Sequence, residues 1–309
     1  MDVRTRRVLA ALDGRTADRV PFMAWMHLAT QHLDPLESAR LHEAFFVRYE
    51  LDAMKVMNDY PYPLPAGIEQ VDSPEAMRRF EPIVGTTTAH DDQLVVIRAL
   101  RERLGPEVII LDTVFNPFGV AHVLLKQSLG AMIELHPADV QTLLDVIAES
   151  LRHYVRASLA AGSSGIFYSV NGATAAFLPD EQFTAYVRSP DLHVLSACNG
   201  STMNVCHAHG ERPRLSDLLD YPVQAFSWSH LATTPTVSTF RTYSEACVIG
   251  GVDERLTIVR RQPSQIRSDV LATISEAGRN RCVVGPGCSL ATETPVRLID
   301  AARLAARQA

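Results

Sequence analysis

The sequence predicts an α/β protein built as a (β/α)8 TIM barrel, in one domain spanning residues 1–309. Three observations predict it. Short apolar runs alternate with helical stretches, eight such runs occur, and no Gly/Ser linker, low-complexity tract or short repeat divides the chain. Strands alternating with helices build a parallel sheet, and eight of them close a barrel in a chain of about this length. A hydrophobic fraction of 47% supplies an ample core.

The elements follow in order. Val8–Leu12 is apolar but too short for a signal peptide and runs at once into Asp13, so no targeting segment is expected there. The expected strands are Val20–Met26, Ala53–Met57, Val108–Phe115, Gly165–Ser169, Met203–His207, Ala225–Trp228, Val248–Gly250 and Cys282–Gly285. Pro61, Pro63 and Pro65 make the stretch from Pro61 to Arg101 the least regular, a loop over one mouth of the barrel. Pro137-Ala138-Asp139 opens a helix to about Ala161, stopped by Gly162; Pro179-Asp180-Glu181 opens a short one; Pro263-Ser264 opens one that ends at Gly278. Thr294-Pro295 begins the last helix, with Val296, Ile299 and Leu304 expected to face the barrel.

Chemistry is expected just beyond the strands, because the C-terminal mouth of a βα barrel is where active sites are built. The polar residues there are His27, Asn58, Asp59, Tyr60, Asn116, Asn171, His207, His209, Trp228, Asp253 and Cys288. His207 and His209 stand two apart at a strand end and share a face. With Cys288 from the last loop they offer a three-ligand site with an open fourth position, as a catalytic zinc requires. The plainer alternative is two histidines ending a strand by chance and a small buried cysteine. Asp59 and Asp253 are candidates for proton handling or for orienting a ligand imidazole, or else helix caps. Asn58, Asn116 and Asn171 are candidates for substrate hydrogen bonds, or for turn satisfaction. His27, Tyr60 and Trp228 would line the pocket, though Trp228 could belong to the core. His230 is a reserve ligand, and Cys206, on the opposite face from His207, reads as core.

Charge excludes some classes. There are 29 basic against 35 acidic residues, net −6, without a block of one sign. Nucleic acid and anionic membranes need a basic footprint and are poor partners. No apolar run reaches bilayer-spanning length, and five cysteines lack disulfide-scaffold spacing. A soluble, cytoplasmic protein with reduced thiols is expected.

Several segments together resemble the uroporphyrinogen decarboxylase superfamily. They are Gly14–Pro21 after Val8–Leu12, Gly165–Ser169 with Leu178–Phe183, Val205–Gly210, Phe226-Ser227-Trp228, Gly250–Asp253 and Gly285–Pro295, in the expected order over nearly the whole chain. The resemblance implies a (β/α)8 barrel with additional N-terminal helices. In the decarboxylase branch the first strand leads into a segment with two arginines for a polycarboxylate porphyrinogen; here Trp25–His32 holds none. Carboxylates in a cleft need such partners, so tetrapyrrole decarboxylation is not expected.

The other branch resembles zinc-dependent methyltransferases that pass a methyl group between a corrinoid carrier and a thiol. Its motif, His-x-Cys on the fifth strand with a later Gly-Cys, is matched at His207 and Cys288 and departs at His209. The resemblance implies zinc, a thiol acceptor and a corrinoid that a partner protein could supply. Imidazole in place of one thiolate leaves the resting centre with one more positive charge. Such a centre would deprotonate a bound thiol more readily, but the thiolate it holds would be a weaker nucleophile. The same centre would also suit a metal-assisted lyase, decarboxylase or hydrolase acting on a small oxygenated substrate. A non-catalytic barrel binding a corrinoid or a metal is the third alternative.

Overall fold

Among the described residues, seven parallel strands follow one another in chain order across a single sheet. They are β1 (Ala53–Val56), β2 (Ile109–Phe115), β3 (Gly165–Val170), β4 (Val205–Ala208), β5 (Ala225–Ser227), β6 (Cys247–Val252) and β7 (Cys282–Pro286). This computed structural model describes every residue except 86 and 175–177, and only the backbone at 88, 89, 256 and 257.

Side chains alternate across the sheet and divide the core in two. Ala53, Ile109, Leu111, Phe167, Val205, Ala225, Cys247, Ile249 and Val283 form an inner cluster with Met23 and Trp25. Met54, Val56, Ile110, Ile166, Tyr168, Cys206, Phe226, Val248 and Val284 belong to the larger cluster shared with the surrounding helices. A sheet whose every strand contributes to one inner cluster is curled on itself, as in a TIM barrel. Val8 and Ala11 of the helix Val3–Leu12 join the same inner cluster and plug its N-terminal end.

The expected eighth strand, Val20–Met26, does not form a ladder. It makes isolated parallel bridges, Phe22 with Val284 and Met26 with Leu290. Met23 N–H donates to Val284 O and Val284 N–H to Pro21 O, both at 2.8 Å, while Asp52 N–H reaches Phe22 O at 2.8 Å on the other side. The sheet is therefore seven-stranded and not a closed eight-stranded barrel. Pro21 has no N–H to give, which is one reason the segment bridges β7 without extending the sheet. Asp52 supports the crossing: its buried carboxylate accepts from Phe22 N–H at 2.8 Å and from Arg19 Nη1 at 2.6 Å.

The helices read from prolines and glycines hold at Pro137–Ala161 and Pro263–Ala277. Pro61–Arg101 is not one loop, since a long helix, Thr88–Leu104, fills its second half. In the last helix, Val296–Gln308, the inward face is Leu298, Ile299, Ala302, Ala305 and Ala306; Val296 and Leu304 are exposed, contrary to the expected stripe.

Candidate metal centre

β4 carries His207 inward, and the chain leaves the strand with His209 at the mouth, its N–H donating to Val170 O at 3.0 Å. Cys288 follows β7. Although β4 and β7 are not neighbours, the curled sheet brings their ends together. One ligand atom from each of His207, His209 and Cys288 lies within 4.8 Å of the others, and Cys288 Sγ is 3.7 Å from His209 Nδ1. Tetrahedral zinc with bonds near 2.0–2.3 Å spaces its ligands about 3.3–3.8 Å apart, so these donors fit the ion with small side-chain adjustments.

The protonation states suit the same purpose. Burial, helped by the charges of His209 and Lys55, pushes His207 down to about 3, and burial also lowers His209. Both rings are neutral at physiological pH and have a lone pair to offer. Burial raises the Cys288 thiol, with the Ser289 backbone and Lys55 opposing, so this ligand must lose a proton on coordination. His207 Nδ1 lies 3.4 Å from Ser227 Oγ on β5, a long contact that helps to orient the ring.

The other residues singled out in the sequence separate into two groups. Asn58, Asp59, Tyr60 and Asn171 line a cleft of about 1200 Å³ beyond β1, β2 and β3. His27 stands at the mouth, its Nδ1 2.7 Å from Asp59 Oδ1. Asp59 thus orients His27 and no ligand histidine. Among the described residues nothing hydrogen-bonds its buried Oδ2 or the buried Tyr60 hydroxyl.

Four others have their side chains committed elsewhere. Asp253 is buried and committed to an ion pair: it accepts from Arg255 Nε at 2.9 Å and from Arg261 Nη1 at 3.2 Å, and these arginines outweigh burial to hold it below its usual range. Asn116 caps the helix Pro117–Leu125, its Oδ1 accepting from Gly119 N–H at 2.9 Å and Asn171 N–H at 3.0 Å, while its amide donates to Asp191. Trp228 is fully buried, one residue past the inward Ser227 and so on the outer face, with Nε1 donating to Pro235 O at 2.7 Å. His230, the reserve ligand, is spent on Gly251 N–H at 3.0 Å.

Two residues that the sequence reading passed over stand near the centre. Lys55 points inward from β1 and is buried. Glu254 is buried beside the Cys288 loop, where a Cβ on Gly287 would meet its Oε2 at 2.7 Å and, on the backbone, Ser229 Cα at 2.8 Å and Trp228 O at 3.0 Å; the backbone crowding requires glycine. Burial raises Glu254 above its usual range. A lysine inside an apolar strand was a visible signal, whereas Glu254 was hidden behind the more familiar Asp253.

Solved structures share this architecture. A methyltransferase from Methanosarcina mazei superposes with a TM-score of 0.78 at 21% identity, over 99% of this chain and 98% of its own. A B12-independent methionine synthase from a Shewanella species, in complex with selenomethionine, gives 0.60 at 10% identity over 89% and 86%. A vitamin-B12-independent methionine synthase, so described provisionally, from Listeria monocytogenes gives 0.57 at 12% identity over 89% and 85%. No curated protein matches the chain. The family model for uroporphyrinogen decarboxylase (URO-D) matches residues 44–309, which hold all seven strands and the three candidate ligands. This chain therefore belongs to the URO-D family.

Proposed function

We propose that this URO-D family member is a zinc-dependent methyltransferase that moves a methyl group onto the sulfur of a bound thiol. The observation that carries the reading is the convergence of His207, His209 and Cys288 donors within 4.8 Å at the mouth. The likeness to a methyltransferase and to B12-independent methionine synthases supports it at the level of fold.

Zinc, when bound, supplies the Lewis acidity that lets a thiol shed its proton near neutral pH. The chain's residues do the rest. His207, His209 and Cys288 would hold the ion. His27 and Asp59, paired at the mouth, offer a route for the departing proton. Asn58, Tyr60 and Asn171 line the wide cleft and bind the methyl donor; a methyl-corrinoid carried by a second protein is one donor of suitable size. The thiol loses its S–H proton, its sulfur gains the methyl group, and the donor leaves one methyl lighter.

Elemental analysis tests the reading together with an assay of methyl loss from candidate donors, run with and without thiol. About one zinc per chain is expected, falling well below half in Cys288→Ala and in His207→Ala, with methyl loss only when thiol is present. Full metal content in both variants would remove the proposal. Turnover without thiol would favour instead a metal-assisted lyase or hydrolase, for which two imidazoles and one thiolate make an equally capable Lewis-acid site.

A further inference from the structure

Beside the wide cleft, β2 and the helix Pro137–Ala161 wall a smaller chamber of about 60 Å³. Its aromatic lining is Tyr60, Tyr62, His90, Phe115 and Tyr154. Tyr60, Tyr62 and Phe115 also line the cleft, so the two spaces meet at these three rings. The rings of His90 and Tyr154 stand 4.8 Å apart. Two of the phenols spend their hydroxyls on the protein: Tyr62 OH donates to Ser150 Oγ at 2.9 Å, and Tyr154 OH to Asp112 Oδ2 at 2.6 Å. Their rings, not their hydroxyls, are left to meet a ligand.

Carboxylates dominate the charge around this junction. Asp59, on the cleft wall, gives Oδ1 to His27, and among the described residues nothing hydrogen-bonds its buried Oδ2. Burial raises the Tyr60 phenol, and the negative charges of Asp92 and Asp34 raise it further. Among the described residues no lysine or arginine lines the chamber. His90 does, and burial holds it below its usual range against the pull of Asp91, so it is neutral at physiological pH. Lys126 on the cleft wall is exposed, as are Glu69 and Asp72, and salt and water screen all three. Lys55 feels the Asp59 charge, yet its Nζ donates to the Met57 sulfur at 2.8 Å.

We propose that this junction is a cation subsite, taking the trimethylammonium head of a ligand whose body lies in the cleft. Aromatic rings attract such a head through their quadrupoles, as in the aromatic cages that hold quaternary ammonium groups. The head brings no N–H donor, so it needs rings for its methyl groups and a carboxylate such as Asp59 for its charge. A bare metal cation needs several oxygen ligands instead, and ring carbon supplies none. The chamber alone is small for the whole head, and its opening into the cleft of about 1200 Å³ supplies the rest of the room. The assignment needs neither zinc nor a thiol, so it stands or falls apart from the methyltransferase reading.

Calorimetric titration of the purified protein with choline and with 3,3-dimethylbutan-1-ol, its uncharged isostere, tests this. The wild type should bind choline at least about tenfold more tightly than the alcohol, and tetramethylammonium, but not ammonium, should displace it. Asp59→Asn should remove most of that preference, and Tyr60→Leu should weaken choline binding, both with the melting temperature of the wild type. Equal affinity for choline and the alcohol in the wild type, which requires no variant to fold, would overturn the assignment. So would displacement by ammonium as effective as by tetramethylammonium, the mark of charge attraction without rings, or a preference that survives unchanged in both variants.

Discussion

His207 and Cys288 differ in what they must give up before they can hold a cation. The imidazoles of His207 and His209 are already neutral, whereas the Cys288 thiol is held protonated by its burial. Metal binding near neutral pH should therefore release about one proton per ion, and affinity should fall about tenfold for each unit of acidification below the thiol range. Calorimetry in buffers of different ionisation enthalpy counts that proton; a count near zero or two would assign the wrong ligand states. The histidines were legible in the sequence because strand alternation places residues two apart on one face. Lys55 was legible only as an oddity, since its lack of an acidic partner among the described residues depends on where Asp59 and Asp112 point.

Among the elements, parity along a strand decided most of what could be read in advance. It put Cys206 in the outer core, and the same alternation counted from Ala225 puts Trp228 there too. Asn116 and Asp253 show the limit of reading from strand ends. Each sits at the mouth as expected, yet one spends its side chain on helix capping and the other on arginines from the following segment. Those partners are brought together by the loop path, which no periodicity encodes. Gly165, the first residue of β3, carries a sharper constraint. Its φ is 156° and an added Cβ would fall 1.8 Å from Met203 O, on the chain that leads into β4. Gly165→Ala should cost roughly 2–4 kcal/mol of stability and lower zinc occupancy by shifting His207, as thermal unfolding and metal analysis would show. A variant as stable as wild type would mean that β3 and β4 can separate without disturbing the site.

At the scale of the whole molecule, repeated strand–helix alternation made the barrel class readable, while the manner of closure was not. Whether Val20–Met26 forms a strand or only bridges depends on Pro21 and on the Asp52 carboxylate, buried among Arg7, Arg19 and Phe22 N–H. Asp52→Ala should leave Arg19 without its buried partner and cost about 3–5 kcal/mol, with the N-terminal segment becoming the first site of limited proteolysis. An unchanged cleavage pattern would assign closure to the bridges with β7 alone. Global stability should also respond to Asp191, fully buried under Tyr168 OH at 2.9 Å, Tyr221 OH at 2.8 Å and the Asn116 amide at 3.1 Å. Burial outweighs these donors and pushes it up to about 7. Between the ordinary carboxylate range and that value the folded protein keeps a proton that the unfolded chain has lost, so stability falls as pH rises through the window. Urea unfolding across it should show a decline that Asp191→Asn flattens; a rise with pH in the wild type, absent from the variant, would reverse the sign.

The most direct test is X-ray absorption at the zinc edge of the metal-loaded protein. The account predicts one sulfur and two imidazole nitrogens from the chain, with the sulfur lost in Cys288→Ala and a second sulfur appearing when thiol is added. A first shell without sulfur, or one that ignores both the substitution and the thiol, would contradict it.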